Sequence, residues 1–560
     1  MLTYDAAFWS TVKTDGKYKN FRDALAEVYA NLCGKPAHPA RYSDFKIYFE
    51  TGDRKTFEDG YHARRRQLAA AAVMFLIHGE EQYRVYMQDL IWAICDEYSW
   101  CVPAHIHASD AEGQIKAIDL FASETGFVLS EIITLLGDQL DAAVVNRVKY
   151  EVHRRVIARF LETPVYWWET ARSNWAAVCA CQVAGAFLYL APELFPQARQ
   201  RLDAAMDCFL ESFGGDGACL EGLSYWIYGF GMFVMYHELL VGTDPNALEI
   251  FKDEKVANIA AFFQKSSLRG GITVTFADAQ PNALYDPWLG HYLKKIYGDL
   301  VKLPPLSQAL PLARLRFSSM VRGFLYFDPS ENETELPLSN CYLPDAQWFL
   351  RENGAYSLAA KGGHNAEPHN HNDIGSFLLC VNGRQVLCDI GVGVYTKQYF
   401  SAETRYTMLG NGSQGHSVPI INGGYQRAGA EYRAEQVSQS GDTFTADILG
   451  AYGEKGSLVR TFEALEHSVI ITDEYALEQQ PSAIVERFVS YEMPAPEAGK
   501  LVWRDAVLEY DAERFTPSVS EEKYENNFMG KVSVYLIDLT AIAPQRAMTA
   551  RFRVTAAANG

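Results

Sequence analysis

Glu367-Pro368-His369-Asn370-His371-Asn372-Asp373 sets two imidazoles two residues apart, between a glycine-rich entry (Lys361-Gly362-Gly363-His364) and an apolar run from Phe377 to Val381. In an extended segment alternate side chains share a face, so His369 and His371 can point into one cavity. Downstream come Asp389, in the strand-like Gln385-Val386-Leu387-Cys388-Asp389-Ile390-Gly391, and His416, in the loop Gly412-Ser413-Gln414-Gly415-His416-Ser417. Two imidazoles and one carboxylate make a coordination set for Zn²⁺ or a similar divalent metal. On spacing alone, histidines hydrogen-bonded on a loop with no metal explain these residues equally well.

Two stretches nearer the N-terminus could also do chemistry. Ala171-Arg172-Ser173-Asn174-Trp175 reads as the start of a helix, with Ser173 or Asn174 as its N-cap and Trp175 as a core anchor. Gly217-Ala218-Cys219-Leu220-Glu221-Gly222-Leu223-Ser224-Tyr225-Trp226-Ile227-Tyr228-Gly229 puts two tyrosines three apart, hence on one helical face, where core packing is the plain alternative.

The elements that must carry these residues change character along the chain. The first 300 or so residues read as helices. Tyr83, Met87, Leu90, Ile91 and Ile94 form an amphipathic stripe, an Ala-rich segment from Gln67 stops at Gly79, and Val144, Val148, Val152, Val156 and Phe160 recur every fourth position. Further helices are expected over 116–137, 175–191, 196–213, 224–241 and 255–265. Helix after helix with short loops points to antiparallel hairpins, as a bundle or a closed toroid. A Pro-containing connector, Leu303 to Pro311, precedes short alternating runs such as Ser468–Thr472, Val532–Ile537 and Thr443–Ile448, the pattern of stacked antiparallel sheets. The expected architecture is multidomain, α then β, with a helical domain over 1–310 and an antiparallel β domain over 311–560 that contributes His369 and the metal set.

With 560 residues, two or three cores are expected. A formal charge of −19 argues against nucleic acid or an anionic membrane as partner, while leaving room for a small anionic substrate held by local arginines. Trp 10, Tyr 32 and Phe 31 supply rings for a large core and equally for sugar faces. The N-terminal residues lack a basic-then-apolar leader, no apolar run reaches the roughly 18 residues that span a bilayer, and the ten cysteines are scattered, so a cytoplasmic chain with reduced thiols is expected.

Asn174-Trp175, then Glu221-Gly222-x-x-Tyr225-Trp226-x-Tyr228-Gly229, then His369-x-His371-x-Asp373 with Gly375-Ser376-Phe377, come in an order that resembles the heparinase II/III-like polysaccharide lyases, over roughly residues 60–480. The resemblance implies an (α/α) toroid followed by an antiparallel β-sandwich, and cleavage of uronate-containing glycans by β-elimination. It implies that Asn174 neutralises the uronate carboxylate with help from Arg172, that Tyr225 takes the C5 proton or protonates the leaving oxygen, and that His369 is the base for the opposite epimer. It implies a structural Zn²⁺ on His371, Asp389 and His416. Trp175 stands where many relatives have a histidine, a departure that bears on a second neutralising hydrogen bond. Trp175, Glu221, Tyr228 and Arg405 are expected to contact substrate, and Asp119 and Glu124 to line the cleft.

An acidic oligo- or polysaccharide substrate follows, glycosaminoglycans such as heparan sulfate, hyaluronan or chondroitin sulfate ahead of alginate. Oligomeric state is left open. Three other chemistries compete: a glycoside hydrolase drawing on Glu124, Glu169 and Glu221, a hydrolase whose metal activates water, and a non-catalytic carbohydrate-binding protein.

Overall fold

A computed structural model describes residues 2–33, 39–107, 109–309, 316–353, 355–527 and 529–557. The chain divides into two compact units. The first comprises Met1–Ser212, Trp226–Asp253 and Leu284–Thr334; the second comprises Phe213–Tyr225, Glu254–Ala283 and Glu335–Gly560. The expected single boundary at 310/311 falls on residues outside the described ones. The observed division is discontinuous instead. Helix Phe317–Tyr326 stays with the first unit, while the segments that carry Glu221, Tyr225 and Asp278 go to the second.

The first unit is helical, for the reasons the apolar spacing gave. Lys55–His78 buries Ala69 to Ile77 and ends at Gly79, whose φ of 67° is the left-handed conformation that releases a helix. The four-residue valine stripe runs through Ala142–Val152, a π turn at His153–Ile157 and Ala158–Glu162. Among the described residues one helical stretch, Ala111–Gln139, is long and apolar enough to cross a membrane, which reading residue runs had not predicted; 78% of its apolar window is buried, as in a core helix. Within this core Arg322, fully buried, is held by Glu131 (2.8 Å) and Glu238 (3.0 Å). Such a triad punishes loss of one partner far more than it rewards its presence.

The second unit holds three larger antiparallel sheets. A five-stranded sheet runs Cys341–Leu343, Trp348–Glu352, Tyr356–Lys361, Phe377–Val381, Arg384–Leu387. An eight-stranded sheet contains Thr443–Asp447, Gly456–Ala464, Ser468–Leu477 and Ala547–Ala556 side by side. A four-stranded sheet is built on Phe515–Asn526 and Gly530–Ala541. Alternate residues of Gly456–Ala464 and Ala547–Ala556 are buried, so each strand turns one face to the core. Phe349 stacks on Phe444 at 5.5 Å and Phe377 meets Phe462 at 5.1 Å, which joins sheets through one aromatic core.

Candidate active site

In the second unit the expected histidines lie on a turn rather than an extended strand. His369 has φ 58°, and Phe377 is the first residue of the next strand. The shared direction of His369 and His371 therefore does not come from alternation. It comes from a common partner, Asp278, whose carboxylate accepts from His369 Nδ1 at 2.6 Å and from His371 Nε2 at 3.0 Å. The loop is pinned from several sides. Lys361 Nζ binds Asp373 at 2.7 Å, Arg405 donates to the Asn370 carbonyl at 3.0 Å, and Ser413 Oγ donates to the Asn372 carbonyl at 2.7 Å.

Asp278 is fully buried, yet its carboxyl is held well below the usual carboxylate range: burial opposes the charge, and hydrogen bonds from His369 and His371 overcome it. Tyr395 (3.1 Å) and Tyr399 also donate to it. Burial first, then the Asp278 charge, raises both phenols, so they remain donors. The Tyr225 hydroxyl lies 2.7 Å from that of Tyr395, and the Tyr225 and His369 rings stack with centroids 4.1 Å apart. Glu221 is buried with Oε1 4.0 Å from His369 Nε2. Gly222, at φ 94°, lets this turn sit on the Asp278 loop, since a Cβ there would lie 2.9 Å from the Phe276 carbonyl oxygen. Glu221, Tyr225, His369 and Arg405 are thus brought together. Asp278, Tyr395 and Tyr399 were missed by sequence reasoning, because each is an ordinary residue tied to the site over a long sequence separation.

His371, Asp389 and His416 are buried, with candidate ligand atoms all within 4.8 Å of one another. His371 Nδ1 has no hydrogen-bond partner among the described residues, and His416 Nδ1 lies 3.3 Å from Asp389 Oδ2. The other polar atom of each side chain is hydrogen-bonded: His371 Nε2 on Asp278, His416 Nε2 on the Gly410 carbonyl at 3.0 Å, and Asp389 Oδ1 accepting from Gly391 N at 2.9 Å. Three buried ligand atoms converging on one point, one of them the orphaned His371 Nδ1 and each side chain backed by an outer hydrogen bond, fit a divalent metal.

The remaining expected residues lie in the first unit. Asn174, buried, is the first residue of helix Asn174–Leu190; Ser173 occupies the N-cap position but its side chain makes no capping bond. A Cβ on Gly229 would lie 3.0 Å from Asn174 Cβ, so the π turn Trp226–Phe230 packs directly on the asparagine. Tyr228 has a buried hydroxyl without a hydrogen-bond partner among the described residues, and the Arg316 guanidinium lies 4.5 Å from its ring centre. Trp175 contacts Trp167 (4.6 Å) and His105 (4.8 Å) rather than anchoring a core. Arg172 is exposed and paired with Glu211 at 2.8 Å. Asp119 caps helix Leu120–Leu136 and holds His105 Nδ1 at 2.7 Å. Glu124 pairs with Arg316 at 2.5 Å.

Residues 340–498 match a family model described as heparinase II/III-like, C-terminal. No curated protein matches by sequence. Among solved structures, a mutant heparan sulfate lyase from Pedobacter heparinus superposes with TM-score 0.60 at 14% identity, covering 100% of this chain and 86% of that one. A heparinase III gives TM-score 0.63 at 14% identity, with coverages of 90% and 77%. A chondroitin AC lyase from Streptomyces coelicolor A3, in complex with chondroitin sulphate, gives TM-score 0.57 at 9% identity, with coverages of 99% and 82%. Residues 340–498 thus match a heparinase II/III-like C-terminal domain, and the helices-then-sheets fold of the whole chain is the one these solved lyases share.

Proposed function

We propose that the protein is a polysaccharide lyase that cleaves uronate-containing glycans by β-elimination, acting on glycosaminoglycans in preference to alginate. The observation that carries the reading is the Tyr225–His369 pair: a phenol and an imidazole stacked at 4.1 Å, the first tethered through its hydroxyl and the second through Nδ1. Elimination needs a base on the face bearing the C5 proton and an acid at the leaving oxygen, and these two side chains are suited to both tasks. Tyr225 serves as base for one epimer and as acid for both. His369 serves as base for the epimer whose proton faces the imidazole. Asn174 donates to the uronate carboxylate, where charge builds as the proton leaves. Names of the structural relatives support the glycosaminoglycan class, since they act on heparan sulfate and chondroitin. Glu169 is locked by Arg201 (2.5 Å), which removes it from the carboxylates a hydrolase would need.

His371, Asp389 and His416 would hold a zinc ion, whose contribution is to fix these side chains and the loop bearing His369. Each ligand sits on a different loop, so the ion ties three loops together.

The test is a panel of heparan sulfate, hyaluronan, chondroitin sulfate and alginate, followed by ultraviolet absorbance. β-Elimination leaves a conjugated double bond and the signal rises on at least one glycosaminoglycan. Reducing ends appearing with no absorbance would make the enzyme a hydrolase, and a rise on alginate alone would move the substrate class.

A further inference from the structure

We propose that Asp278 is the positioning residue that sets both His369 and Tyr225 for proton transfer, an inference that rests on the lyase reading above. A carboxylate has about four lone-pair sites, and four donors fill those of Asp278. Oδ1 accepts from His371 Nε2 and the Tyr399 hydroxyl; Oδ2 accepts from His369 Nδ1 and the Tyr395 hydroxyl. Two consequences follow. In the neutral ring the His369 proton resides on Nδ1, so Nε2, 4.0 Å from Glu221 Oε1, is the nitrogen left to take a proton. Tyr395 donates to Asp278, so toward Tyr225 its oxygen can only accept, which orients the Tyr225 O–H whenever that phenol carries its proton.

The backbone is strained at both ends of the short His369 contact. His369 has φ 58° and Ala277, beside Asp278, has φ 61°. Non-glycine residues hold such angles only where surrounding structure over-determines them. The same carboxylate turns His371 Nδ1 toward Asp389 and His416, so one side chain orients the base, the phenol and a candidate metal ligand together.

Asp278→Asn tests this. The amide is nearly isosteric but offers one acceptor oxygen and a donor NH₂ to four donors. Loss of an outer-shell partner of this kind typically costs 10–100-fold, expected here in kcat with KM nearly unchanged. The second readout is the ¹⁵N spectrum of the imidazoles at mildly alkaline pH, with His369 assigned through His369→Gln. Wild-type protein should show His369 protonated on Nδ1, and Asp278→Asn should shift that tautomer; metal content is measured on both. Tyr395→Phe keeps the His369 contact, so it should lower kcat while leaving the tautomer unchanged, and it serves if Asp278→Asn does not fold. A wild-type His369 protonated on Nε2 would overturn the proposal. So would an Asp278→Asn variant with wild-type tautomer, whether kcat is retained or falls together with KM and melting temperature. A wild type that cleaves none of the polymers would sink the lyase reading alone, because the tautomer spectrum needs no substrate.

Discussion

At Asn174 the account is a statement about which kinetic constant changes. The carboxylate it would serve gains charge only as the C5 proton leaves, so the hydrogen bond matters most in the transition state. Asn174→Ala should lower kcat by ~10²–10³-fold with a modest effect on KM, the usual cost of losing one such donor; a change in KM alone would make Asn174 an ordinary binding residue. His369→Ala should harm one uronate epimer much more than the other. Comparing kcat/KM on matched glucuronate and iduronate oligosaccharides checks this, and equal losses would contradict a face-specific base. Residues of this kind are legible in sequence because their neighbours are unusual, as in His369-x-His371. Asp278 is not legible. It sits in Thr275-Phe276-Ala277-Asp278-Ala279, where nothing local announces four hydrogen bonds to residues about a hundred positions away.

Elements place these side chains through close backbone approach. Gly229 belongs to a π turn, a feature frequent at functional sites, and its missing Cβ is what admits Asn174 and the Phe209 ring (2.9 Å). Gly229→Ala should leave the helix formed yet displace Asn174, and a shift near 1 Å can cost ~10²-fold in turnover. Circular dichroism alongside kcat separates this from unfolding. The loops converging on His371, Asp389 and His416 behave as one element. Chelation should lower the melting temperature and turnover together, with zinc content read by elemental analysis; fully active protein free of metal would remove the site. The helices were readable because apolar residues recur every three to four positions, and the four-residue stripe from Val144 to Phe160 runs on through the π turn at His153–Ile157. The histidine loop was misread as extended, because the left-handed φ of His369 is a tertiary outcome fixed by Asp278. The division into units was also beyond pattern reading, since Phe213–Tyr225 and Glu254–Ala283 are assigned by contacts rather than composition.

For the molecule as a whole, stability should depend on pH through buried carboxyls. Burial pushes Asp286, at the N-terminus of helix Pro287–Tyr297, up to about 7, and pushes Glu367 up to about 7 despite Lys361 at 3.9 Å. A carboxyl whose folded pKa lies above its unfolded value binds its proton more tightly when folded. Its contribution is complete below about pH 4 and is lost as pH rises through about 7. These two carboxyls therefore lose stability across that window, while His62, His237 and His291, whose pKa values burial lowers, gain it. The difference in melting temperature between Asp286→Asn, which can still cap the helix through its side-chain oxygen, and wild type should grow in the variant's favour from about pH 4 to about 7; a constant difference would exclude Asp286 as a source. The central claim, that Tyr225 is the acid for every cleavage, is tested most directly by kcat/KM of Tyr225→Phe on glucuronate- and iduronate-containing oligosaccharides of matched length, followed by ultraviolet absorbance. The account expects cleavage of both to be abolished in a variant whose melting temperature is retained, whereas substantial activity on either substrate would contradict it.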